Sequence, residues 1–160
     1  MSIEQNFLDR AREIEQKIIG YRRTLHENPE LSFEEFETSQ YIQNALKDMN
    51  IDYRVMAKTG VVATIGKGER CVALRADIDA LPMAEETGLP YASQNQGVMH
   101  SCGHDAHTAM LLGAAQLLKE NESTLNGTVK LIFQPGEEKV PGGASILIKE
   151  GVLDNPAPEV

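Results

Sequence analysis

Between residues 53 and 149 the chain alternates short apolar runs with segments of helical spacing, and this alternation restricts the fold more than any other feature. Tyr53 to Met56, Val61 to Ile65 and Cys71 to Arg75, joined by turns containing Gly and Lys, predict three strands, and Val129 to Phe133 predicts a fourth. His104 to Leu118 predicts a helix, and GGASILIKEG a short one ended by Gly151. Ahead of these, Phe7, Leu8, Ala11, Ile14, Ile18 and Leu25 recur near helical spacing and predict one amphipathic helix from Ile3 to Leu25, stopped because Pro29 disfavours helical geometry at Asn28. Ser32 followed by Glu35 fits a capping box for a second helix, with Phe36, Tyr41, Ile42, Ala45, Leu46 and Met49 as its buried stripe. Strands interleaved with helices predict an α/β sandwich, and 160 residues suffice for one domain with a core.

Charge removes several classes of function. A net charge of -9 and a pI of about 4.9 repel polyanions, so neither nucleic acid nor an anionic membrane is an expected partner. No run approaches the ~20 apolar residues of a spanning helix, and the acidic, polar start MSIEQNFLDRAREIEQ is unlike a signal peptide, so the expected location is cytoplasmic. Two cysteines cannot build a disulfide framework. Cys71, inside RCVALRA, reads as a core residue, and Cys102 as a candidate metal ligand.

Three segments can carry chemistry. In MHSCGHDAH, Cys102 and His104 stand two apart just ahead of a helix whose N-terminus would help keep the thiol ionised. In FQPGEEKVPGG, a strand runs into a Pro-Gly turn that delivers Glu137 and Glu138 at its carboxyl end, where open α/β sheets place ligand sites. Adjacent glutamates on a turn suit a division of labour, with Glu138 on metal and Glu137 facing the substrate water. In LRADIDALP, Asp77 and Asp79 again close an apolar strand, able to orient a metal-bound histidine or to bind metal directly. Alone, each has a bland reading: a buried thiol, a solvated glutamate pair, a turn. Together they supply complementary parts of a metallohydrolase site, and thiolate, imidazole and carboxylate suit Zn, Mn, Co or Ni better than Ca or Mg.

RRTLHENPELSFEE, LRADIDALP, MHSCGHDAHTAMLLGAA and LIFQPGEE are, in this order, similar to segments of the M20 metallopeptidase family, in its amidohydrolase branch acting on N-acyl amino acids, hippurate and indole-acetyl amino acids. The resemblance implies a three-layer α/β sandwich with a central mixed sheet flanked by helices, incomplete in this chain. It implies two divalent metal ions (Mn, Zn, Ni or Co), with Cys102, His104 and Glu138 as ligands, Glu137 as general base and Asp79 orienting the centre. Asp77 falls where peptidase branches carry a ligand histidine, and His100, Asp105 and His107 receive no ligand role. The implied reaction is metal-assisted hydrolysis of an amide, Glu137 taking a proton from the attacking water and returning it to the leaving amine. Family members run to more than twice this length, with a lid domain that also serves dimerisation, so residues 1–160 are expected to be the N-terminal portion of the catalytic domain.

That portion alone is expected to be inactive, because the remaining ligand histidines and an oxyanion donor lie outside it, while the full-length form is expected to be a homo-oligomer acting on small N-acyl amino acids. The alternative is a non-catalytic remnant that keeps the fold and partial metal binding. A plain α/β domain with incidental Cys and His is a third reading.

Overall fold

A computed structural model describes residues 3–160. Strands β1 (Tyr53–Met56), β2 (Gly60–Gly66), β3 (Cys71–Asp77) and β4 (Thr128–Gln134) form one sheet in the order β1-β2-β4-β3. The first two pairings are antiparallel and β3 with β4 is parallel, so the sheet is mixed. A parallel pair needs a long crossover, which residues 78–127 supply around the helix α4 (His104–Glu120).

Alternation along the central strands sorts the two faces. Val61, Ala63 and Ile65 of β2 and Val129, Leu131 and Phe133 of β4 pack with Ile42 and Leu46 of α3 (Phe36–Asp48) and Leu112 and Ala115 of α4. Val62 and its cross-strand partner Ile132 point the other way, against Leu147 of α5 (Gly143–Lys149) and Val152. Helices therefore cover both faces, the expected three layers. Val61, Leu131 and Phe133 are fully buried, each contributing about 1.5–3 kcal/mol of hydrophobic stabilisation. Lys130 shares the α5 face and donates to the carbonyls of Val152 (2.6 Å), Asp154 (3.0 Å) and Pro156 (2.8 Å). At the open edge of β3, the Glu159 N–H donates to Cys71 O and the Ala73 N–H to Val160 O, each at 2.8 Å.

Strands β2, β3 and β4 extend one or two residues past the expected limits, and two helical expectations are corrected. The first helix is two, α1 (Ile3–Glu13) and α2 (Glu15–Glu27), broken at Ile14. The break buries Ile14 and lets the Arg10 guanidinium grip the Glu120 carboxylate at the end of α4 with two bonds of 2.8 and 2.9 Å, while Leu8 stays exposed. Apolar spacing does not register a one-residue kink.

The capping box is also absent. Helix α3 starts at Phe36, and its Glu37 and Thr38 amides donate to the Glu30 carboxylate at 3.2 and 2.7 Å. Phe36, expected inside, is 53 % exposed beneath the Lys58 ammonium, 4.8 Å from its ring centroid. Ser32 and Glu35 are committed elsewhere, to the site. No helix among the described residues is long and apolar enough to cross a membrane.

Candidate metal centre

Because β3 and β4 are parallel, with Asp77 opposite Gln134, both strands leave the sheet at the same edge. The Ile78 N–H extends that ladder to Gln134 O at 3.0 Å, placing Asp79 beside the turn Pro135-Gly136-Glu137-Glu138. Helix α4 begins against the same edge, its start marked by Gly103 at φ +82. The three segments thus converge: one donor atom from each of Cys102, His104 and Glu138 lies within 4.8 Å of the others. His104 is buried, and Cys102 and Glu138 are exposed, so the cluster opens outward.

Asp79 joins the parts. Its Oδ2 accepts from Ser32 Oγ at 2.7 Å and from the Glu138 N–H at 3.0 Å, and its Oδ1 lies 3.2 Å from His104 Nδ1. Burial by itself would raise this carboxyl. Hydrogen bonds from His104, Ser32 and the Glu138 and Glu137 amides outweigh it and hold the pKa at about 2. His104 Nδ1 also lies 2.9 Å from the Asp79 carbonyl oxygen. Both neighbours are acceptors, so Nδ1 carries the proton and Nε2 is left with the lone pair a metal needs. Burial opposes the charged imidazole, but the Asp79 bonds raise its pKa.

The expectation that the helix N-terminus ionises Cys102 is corrected. Its thiol donates to Glu138, and that bond, then burial, then the charges of Glu138, Glu137 and Asp77 raise its pKa. Carboxylates outweigh the helix dipole here, and a divalent cation is the group that would reverse that balance. Thiolate, imidazole and carboxylate so close together, amid excess negative charge, fit a borderline-soft divalent ion.

Asp77 is tied to Arg75 Nη1 at 3.1 Å, and its carbonyl accepts from Thr108 Oγ1 at 3.1 Å. Exposed His107 stacks on His104 at 5.9 Å between centroids, its Nδ1 3.5 Å from Asp77 Oδ2. Asp105 faces the other way, its Oδ2 accepting from Arg22 Nε at 3.0 Å and meeting His26 Nδ1 at 2.8 Å. Among the described residues, buried His100 has no hydrogen-bond partner on either ring nitrogen, and burial lowers it to about 4 while Asp105 pulls the other way. Sequence reasoning missed Ser32, Glu35 and His26. For the first two, the local pattern pointed to a helix cap, and no local signal marked the third.

A mixed sheet between helices, with such donors at its carboxyl edge, is the arrangement of a metallopeptidase catalytic domain. The chain belongs to peptidase family M20/M25/M40, whose model matches residues 73–160. It is 57 % identical over 144 residues to N-acetyl-L-cysteine deacetylase of Bacillus subtilis (strain 168), covering 88 % of this chain and 34 % of that protein. It is 53 % identical over 140 residues to IAA-amino acid hydrolase ILR1-like 4 of Arabidopsis thaliana, covering 86 % of this chain and 32 % of that one. Among solved structures, the YXEP protein of Bacillus subtilis, described as a dinuclear metal-binding peptidase of family M20, superposes with a TM-score of 0.86 at 45 % identity, over 91 % of this chain and 42 % of that chain. The chain thus spans about a third of the length of these two curated relatives.

Proposed function

We propose that this chain supplies half of a two-metal site that hydrolyses the amide bond of small N-acyl amino acids. The observation that carries the reading is the gathering of Cys102, His104 and Glu138 donor atoms within 4.8 Å at the sheet edge. The names of the two curated relatives, a deacetylase of N-acetyl-L-cysteine and a hydrolase of IAA-amino acids, support an N-acyl amino acid as substrate. Cys102, His104 and Glu138 are the ligands. Bound divalent metal would polarise the amide carbonyl and make water more acidic.

The chain's own residues do the rest. Glu137, exposed on the turn beside Glu138, takes the proton of the attacking water and returns it to the amide nitrogen as the C–N bond breaks. Asp79 keeps the His104 ring and the Glu138 backbone in register. Three donors among the described residues are fewer than two ions require, so the 160 residues alone are expected to be inactive.

The test is a Co²⁺ titration read by thiolate-to-metal absorption, with hydrolysis of N-acetyl amino acids assayed on the same residues extended to the length of the relatives. A Cys102→Ala, His104→Ala double change should weaken Co²⁺ by at least about a thousandfold and abolish turnover. Glu137→Gln should keep Co²⁺ and lower kcat by about 10²–10⁴. Absence of Co²⁺ binding at micromolar concentration, or binding indifferent to the double change, would overturn the reading.

A further inference from the structure

Glu35 is a fully buried carboxylate that the proposed chemistry does not use. It lies in the segment before α3, and besides the local amides of Phe33 and Glu35 it has partners in two distant turns. Its Oε2 accepts from Thr59 Oγ1 at 2.6 Å, in the β1–β2 connection, and its Oε1 accepts from the Gly136 N–H at 2.8 Å, in the turn after β4. Burial raises its pKa, so the position carries a cost that an apolar residue would avoid.

The Gly136 bond accounts for the carboxylate. Within the turn Pro135-Gly136-Glu137-Glu138, the Gly136 N–H is held by Glu35 and the Glu138 N–H by Asp79, while Gly136 O accepts from the Gly143 N–H at 2.9 Å. With the Glu137 amide also on Asp79, the backbone of the turn is held inward while the Glu137 and Glu138 side chains are exposed, Glu138 in reach of Cys102 and His104. Gly136 has φ +56, and a Cβ there would run into the Phe33 ring, so the turn closes tightly over the Ser32–Glu35 strap. That strap meets the site twice, through Ser32 on Asp79 and through Glu35 on Gly136.

We infer that Glu35 is a positioning residue for the Glu137–Glu138 turn: its buried carboxylate fixes the Gly136 amide and so holds Glu138 in reach of the ion bound by Cys102 and His104. The inference rests on the reading of those three residues as ligands.

Co²⁺ titration of the 160-residue chain tests it, with stability measured in parallel. Glu35→Ala should weaken Co²⁺ by about 10–100-fold and shift the absorption bands, the usual cost of removing support behind a metal ligand. Glu35→Gln should stay within about threefold, because its amide oxygen still accepts from Gly136 while the Thr59 hydroxyl rotates to accept from the new NH₂. Leu46→Ala, a core cavity in α3 remote from the turn, should lower stability and leave Co²⁺ affinity unchanged. Unchanged affinity in Glu35→Ala, or an equal loss in Leu46→Ala, overturns the inference. If Glu35→Ala does not fold, Thr59→Val decides, since it frees one carboxylate oxygen. A loss of about threefold to tenfold supports positioning, and no loss refutes it. Failure of the unaltered chain to bind Co²⁺ would instead sink the ligand reading itself.

Discussion

The two ends of β4 handle buried charge in opposite ways. Near its amino end, Lys130 is almost fully buried and gives its ammonium hydrogens to three backbone carbonyls, so every donor is matched inside the fold. Beyond its carboxyl end, Asp79 is equally buried, but the groups it holds, His104 and the Glu138 backbone, belong to a donor cluster that opens outward through Cys102 and Glu138. The first network closes on itself and serves only stability. The second is complete behind the candidate ligands and open in front of them, which is the difference expected between a structural anchor and the proposed ion site.

Replacing the anchor gives the largest stability effect that separates the two ends. Lys130→Met keeps much of the volume but leaves three carbonyls without their donor, so stability in urea should fall by about 3 kcal/mol. Co²⁺ affinity should not change, because Lys130 holds the segment from Val152 to Pro156, whereas the turn is bonded to Gly143 at the start of α5. A simultaneous fall in both would show that the ends are mechanically coupled and would break the comparison.

What sequence disclosed follows the same division. The strands, α4 and the ligand candidates were legible because each signal is local: an apolar run, a helical period, Cys102 and His104 two apart, Glu137 and Glu138 behind a Pro-Gly turn. Their convergence follows from the parallel pairing of β3 and β4, which turns three scattered motifs into one edge. The supports were not legible, because they span large separations: Ser32 to Asp79, Glu35 to Gly136, Lys130 to the loop after α5. Ser32 and Glu35 even matched a capping motif, and only burial of both side chains against distant partners reassigns them. Lys130 looks like any polar residue in an alternating strand until the second face is found covered.

The acid response sharpens the contrast from the site's side. In the metal-free chain Asp79 has a pKa of about 2, against 3.8 ordinarily, so the folded state binds this proton less readily than the unfolded one. Its contribution, about 2 kcal/mol, is therefore complete above about pH 4 and is lost as pH falls through about 2. Asp79→Asn should be less stable than the unaltered chain by that amount at pH 7 and nearly equal to it at pH 2, in urea midpoints measured across the range. A difference independent of pH would mean that the network does not depend on the ionised carboxylate.

The smallest effect tests a single bond in that network. Ser32→Ala removes one donor from Asp79 and leaves the Glu138 and Glu137 amides and His104 in place, so the cost should be about 1 kcal/mol. Losing a donor to the charged form raises the Asp79 pKa, and the acid transition should therefore begin at slightly higher pH. His104 keeps its bond to the Asp79 carbonyl, so Co²⁺ affinity should fall by no more than about threefold. The same variant separates the two roles open to Ser32. As a helix cap its loss would fray the first turn of α3 and speed exchange of the Glu37 and Thr38 amides. Because Glu30 holds those amides, their exchange should stay as slow as before, and acceleration there would return Ser32 to the helix and detach it from the site.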